Sequence, residues 1–143
     1  MKRLILMALI LLSVGAASSR DLCAQVWHPA NQVTLAWDAV TTLQDGTTIP
    51  AGNVVKYQAF KRLLPATTGE AVGGEVVTLQ QAVSFSVEGG YFLGVKALRY
   101  VDSVLVSQSE ISWSDVAANC ANGEAFGVTY WMAPSMVKGL RLQ

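Results

Sequence analysis

The most regular pattern of apolar and polar positions along the chain lies in residues 90–115, GYFLGVKALRYVDSVLVSQSEISWSD. Tyr91, Leu93, Val95 and Ala97 alternate with Phe92, Gly94, Lys96 and Leu98. A period of two places every second side chain on the same side of a strand, so one face can enter a core while the other meets solvent. The pattern predicts two strands, the second over residues 104–113, joined through Val101, Asp102 and Ser103. A hairpin of this kind needs an opposing sheet to cover its apolar face.

Upstream residues supply one. Val33, Leu35 and Trp37 alternate with Thr34, Ala36 and Asp38, a half-buried strand. Residues 39–52 are a polar loop with an Asp45-Gly46 turn pair and the breakers Pro50 and Gly52. Residues 54–62 form the next strand, with Val55, Tyr57 and Ala59 opposite Lys56, Gln58 and Phe60. Residues 63–74 read as a loop with a weak edge strand at most, because Pro65 cannot donate to a ladder. Short strands follow over 75–79 and 82–87, then a turn through Glu88, Gly89 and Gly90. Strands thus recur about every dozen residues with no sustained 3.6-residue period. That spacing predicts an all-β fold, a two-sheet antiparallel immunoglobulin-like sandwich over residues 25–116, near the ~100 residues such domains need.

Four short motifs in this order resemble a fibronectin type III domain: Leu35-Ala36-Trp37 with Asp38; Tyr57 two residues before Ala59; Tyr91-Phe92-Leu93-Gly94-Val95-Lys96-Ala97; and Ser109-Glu110 before Ile111-Ser112-Trp113. They span roughly residues 30–116. The resemblance implies two packed antiparallel sheets with Trp37 in the core near Tyr57 and Val95. The first strand, Val26-Trp27-His28-Pro29, is short, and the link into the sixth lacks the family's usual Leu and Pro. No Arg-Gly-Asp occurs, so integrin-type adhesion is not implied.

Composition adds an address. Charged residues at 14% fall below the ~25% of an average domain, partly because of the N-terminus. There Lys2 and Arg3 precede an apolar run over residues 4–14, followed by Gly15, Ala16 and Ala17. This is the pattern of a signal peptide, too short to span a membrane as a helix. Cleavage falls within residues 1–24, after Ala17 or after Ala24. The expected location is secreted, periplasmic or cell-surface. Removal of residues 1–24 leaves seven basic and nine acidic residues and a net charge of about −2, with no basic stripe for nucleic acid. Cys23 and Cys120 can form one disulfide in an exported chain, provided that cleavage follows Ala17.

The chemistry-bearing motifs of hydrolases, zinc proteases, phosphate-binding loops and dithiol enzymes are missing. His28 is the only histidine, and no dense Asp/Asn run offers a calcium site. Neither enzyme activity, a cofactor nor a metal is expected. Two readings of function stand. One is a binding or assembly module that meets a protein through the 99–106 region, with Arg99, Tyr100 and Asp102 as recognition residues. The other is a carbohydrate-binding accessory that meets a glycan through exposed Trp27 or Trp131. Residues 117–143 form a C-terminal tail in which 126–132 are aromatic and β-prone. Three fates are open to it: folding back as an extra edge strand, self-association by strand donation through residues 133–143, or fraying as the remnant of a tandem array.

Overall fold

The computed structural model describes residues 24–116, 124–135, 138 and 141. Residues 1–23, including the apolar run and Cys23, lie outside that set, as does Cys120. Nine strands are described: β1 (Ala24–Pro29), β2 (Gln32–Ala36), β3 (Val54–Leu63), β4 (Glu70–Val76), β5 (Gln80–Ser84), β6 (Gly89–Val101), β7 (Val104–Gln108), β8 (Ser112–Trp113) and β9 (Glu124–Tyr130). The fold is all-β and two-layered. A seven-stranded sheet runs β1-β9-β6-β3-β4, with β7 and β8 also paired to β6, and it faces a two-stranded sheet of β2 and β5.

Strand β6 is the axis of the large sheet. On one side it pairs with β3 over ten consecutive positions, from Val54 opposite Tyr100 to Leu63 opposite Tyr91. On the other side three short segments pair in succession: β7 with Leu98–Val101, β8 with Gly94 and Val95, and β9 with Gly89–Tyr91. The second strand expected over 104–113 is therefore interrupted. Two serines bridge the interruptions. The Ala97 N–H donates to Ser109 Oγ at 3.0 Å while the Ser109 N–H donates to the Ala97 carbonyl at 2.9 Å. Four residues lower, the Leu93 N–H donates to Ser114 Oγ at 3.1 Å and the Ser114 N–H to the Leu93 carbonyl at 2.7 Å. The Ser114 carbonyl then accepts from the Phe126 N–H at 3.0 Å, which couples β8 to β9. Each serine thus satisfies both backbone groups of one β6 residue, which a buried strand cannot leave unpaired.

The core lies between the sheets, where Leu35, Val83 and Phe85 of one layer meet Ala59, Tyr91, Leu93 and Val128 of the other. Trp37 packs beside Tyr57 with ring centroids 5.5 Å apart, in the neighbourhood the resemblance implies. One expectation fails on β6: Phe92 and Gly94, assigned to solvent by the alternation, are buried along with Tyr91 and Leu93. The outer face is roofed. Trp27 stacks on Phe92 at 5.3 Å, and the Arg62 guanidinium lies 5.4 Å from Phe92 and 4.6 Å from Trp113. Arg62 is anchored by Asp115 at 2.7 Å. Gly94 admits the Trp113 ring, which would stand within 3.0 Å of a Cβ there, and Gly127 admits Trp27 in the same way.

The antiparallel expectation also needs correction, because β1 and β9 pair in parallel, Ala24 opposite Glu124 through Pro29 opposite Thr129. Strand β9 comes from the expected tail but does not occupy an edge: β6 flanks it on one side and β1 on the other. The 63–74 segment contributes a full strand, β4, which reaches Val76 with a register shift between Tyr57 and Ala59 of β3.

Replacing Ser114 by alanine leaves the buried Leu93 N–H without its acceptor and costs about 1–3 kcal/mol. Ser109→Ala, at a solvent-reached position, costs less. Urea unfolding of the two variants checks the order.

Candidate functional site

The recognition residues expected at the end of the hairpin come together at the upper end of β6. Asp102 and Ser103 form its two-residue turn, closed by Val101 opposite Val104, and both have positive φ, 49° and 65°. That is the type I′ geometry favoured in tight hairpins, normally made with glycine or asparagine. Two non-glycine residues in the left-handed region carry a conformational cost, and such residues cluster where a surface is used.

Arg99 and Tyr100 precede the turn and leave β6 on opposite faces. The Arg99 Nε–H donates to Asn53 Oδ1 at 2.8 Å, which ties the hairpin to the loop before β3. The Tyr100 hydroxyl donates to the Glu75 carboxylate, 2.8 and 2.7 Å from its two oxygens. Lys56 completes the group, 4.3 Å above the Tyr100 ring and 3.6 Å from Glu75. The hydrogen bond to Glu75 holds the Tyr100 hydroxyl above its ordinary pKa, with burial and the carboxylate's charge adding in the same direction. Tyr100 therefore presents a fixed ring rather than a free hydroxyl. In the loop over residues 39–53, Asp45 accepts from the Thr47 hydroxyl and N–H at 2.6 and 2.9 Å. These bonds hold its carboxyl below the usual range.

Strand β7 is the part of this end that alternation does not foresee. All five of its residues are exposed, with Val104 at 62%, Leu105 at 44% and Val106 at 48%. The facing sheet has only two strands and does not reach over β7. Three consecutive apolar residues, which break the period of two, are the sequence signal for that exposure. Val54, opposite Tyr100, adds a further exposed apolar side chain.

Trp131 does not belong to this site. Strand β9 meets β6 at Gly89–Tyr91 and ends at Tyr130, opposite Gly89, roughly 40 Å from the turn at ~3.3 Å per residue. Trp131 is exposed there, beside a shallow depression lined by Pro29, Asn31 and Met132. Trp27 lies against Gly90, Gly127 and Phe92, and no ring contact joins it to Trp131 among the described residues. No cluster of three or more His, Cys, Asp or Glu side chains is found among the described residues, and none of their helices is long and apolar enough to cross a membrane.

A second concave feature lies between the layers, a cleft of about 460 Å³ lined by Leu35, Trp37, Tyr57, Val95, Ser109 and Trp113 among others. It opens between β2 and the β7–β8 side of the large sheet. Comparison with known proteins finds no family model, no curated protein and no solved structure that matches the chain.

Glu75→Gln removes the carboxylate that raises Tyr100. The tyrosine titration, followed by absorbance near 295 nm with Tyr100→Phe as reference, is expected to move down toward the ordinary value. Because the pKa is raised in the folded chain, this contact's stabilisation is present below the ordinary tyrosine pKa. It is lost as pH rises through the raised one.

Proposed function

We propose that the protein is an exported, non-enzymatic binding or assembly module built on a fibronectin type III-like sandwich. One bond supports the fold type above all others. The Tyr91 hydroxyl donates to the Val87 carbonyl, four residues upstream, at 2.6 Å. This is the arrangement of the tyrosine corner at the start of the sixth strand in immunoglobulin-like sandwiches, and it forms here without the Leu and Pro of the link. The neighbour relations fit as well: the third, sixth and seventh strands lie together in one sheet, and the second and fifth in the other.

The observation that carries the binding role is β7. An exposed edge strand with three consecutive apolar side chains is a template for a partner's strand, and its neighbours Arg99 and Tyr100 are held in place by Asn53 and Glu75. We assign the partner as a protein that pairs with this edge. Export rests on the N-terminal pattern alone. A Cys23–Cys120 bridge, open to the chain if Cys23 is retained, falls outside the described residues.

Two measurements test this reading. Leu105→Lys is expected to abolish capture of an envelope protein by the immobilised chain, with a stability change within ~0.5 kcal/mol as for an exposed site; Trp131→Ala is expected to leave capture intact. Retention of capture by Leu105→Lys overturns β7 as the binding edge. The mature chain is expected to begin at Ser18 without a free thiol, or at Gln25 with one, by intact mass and thiol titration. An unprocessed chain retained in the cytoplasm overturns export.

A further inference from the structure

The two-stranded sheet is one strand short. Among the described residues β2 has β5 as its sole neighbour. The Trp37 N–H donates to the Leu79 carbonyl, and the Asn31 carbonyl accepts from the Phe85 N–H. The odd-numbered residues of β2 therefore turn their backbone groups toward β5. Alternation along an antiparallel strand turns those of Gln32, Thr34 and Ala36 to the opposite, open edge. Beside that edge lies the 460 Å³ cleft, lined by apolar side chains of both layers, including Leu35, Val95 and Ala97. Trp37 lines it as well, and its Nε1–H is buried without an acceptor among the described residues. An unpaired edge, an uncovered apolar trough and an orphan donor are what a sandwich shows when one of its strands is missing.

We propose that the missing strand is the C-terminal segment, residues 133–143, of a second copy of the chain, paired antiparallel to β2. The segment, APSMVKGLRLQ, sets Leu140 and Leu142 two residues apart, on one face of a strand. Its two charges, Lys138 and Arg141, are basic, and the one charged residue lining the cleft is acidic, Asp38. Five extended residues span the length of β2, roughly 17 Å. The two described residues of its second half, Lys138 and Arg141, are exposed and outside any strand. Its own β2 is not the better acceptor. Ala133 leaves the sheet beside Asn31, the residue before β2, so the segment would have to run parallel to β2, the slightly weaker pairing. A tail from a second copy enters from the far end and repeats the antiparallel geometry that β2 already shares with β5. Donation is reciprocal in a dimer and serial in a longer chain.

The inference goes beyond the β7 reading by adding a second edge, β2, and naming its partner as a second copy of the chain. The exported full chain is compared by sedimentation with a chain lacking residues 133–143 and with Ala36→Pro. The proline removes an N–H from the open edge only, as edge strands tolerate. The full chain is expected to gain mass with concentration, and each variant to stay monomeric with an unchanged circular dichroism spectrum. Mixing the two variants is expected to restore a 1:1 dimer, since one supplies the donor and the other the acceptor. Should Ala36→Pro fail to fold, Thr34→Pro serves the same purpose. Association of a folded proline variant as tight as that of the full chain overturns the proposal. So does a monomeric full chain whose melting temperature falls on tail deletion equally at every concentration, which would place the tail on its own β2. A monomeric full chain indifferent to the deletion also overturns it and leaves the cleft to a different protein. Capture through β7, read by Leu105→Lys, is independent of all three outcomes, so loss of self-donation and loss of the binding-module reading are told apart.

Discussion

The fold depends on satisfying both backbone edges of one long strand. Strand β6 has thirteen residues, and a strand that deep in a sheet cannot leave N–H or C=O groups bare on either side. Strand β3 satisfies one side without interruption. The other side is assembled from three short segments and two serine side chains. A hydroxyl in place of a backbone carbonyl lets the chain turn away and return without orphaning β6. The Ser114 carbonyl then starts the handover to β9. Strand β9 can therefore take its place beside β6 as an inner strand, and the sheet is not closed by a single last strand.

A second constraint follows from the first. The large sheet is widened by β9 and β1, while the opposing layer keeps only two strands. Two strands cover the middle of such a sheet and no more. Where cover is lacking on the outer face, the protein supplies it with side chains: Trp27, Arg62 and Trp113 lie over Phe92 and Gly94. Where it is lacking between the layers, the cleft beside β2 results, and beyond the reach of the small sheet β7 stands exposed on both faces. One mismatch in width thus accounts for the aromatic roof, the open trough and the apolar edge.

This explains which parts were legible in the sequence. Period-two alternation located β2, β3 and β6 closely, because each has one face in the shared core and alternation reports that directly. The residues of the 99–103 end were legible as a group because a turn joins them. Alternation could not report a strand buried on both faces, and Phe92 and Gly94 were misassigned for that reason. Their local signal was Gly94 itself, since a glycine inside a strand marks close approach by another group. Nor could local patterns tell which sheet β1 would join, or that β9 would lie inside rather than outside. Both depend on long-range pairing, Ala24 with Glu124, a hundred residues apart. Trp131 was singled out as a glycan contact by its chemistry, and topology places it at the other end of β6 from the turn residues.

Among the strands with an open side, β1, β2, β4 and β7 differ in how they guard it. Strand β1 ends in Pro29 and lays Trp27 across its neighbours. Strand β4 carries Glu70 and Glu75, a glycine at φ 63° and a register shift against β3. Proline, charge and bulges are the usual means of discouraging edge-to-edge pairing. Strands β2, QVTLA, and β7, VLVSQ, carry no charge and no proline, and β2 has no register irregularity, while β7 has one against β6. Strand β5, QQAVS, likewise carries neither charge nor proline, and of the two edges of the small sheet it is β2 that borders the cleft between the layers. Physically, then, an added strand would find open hydrogen-bonding groups beside the apolar lining of the cleft at β2, and beside exposed apolar side chains at β7.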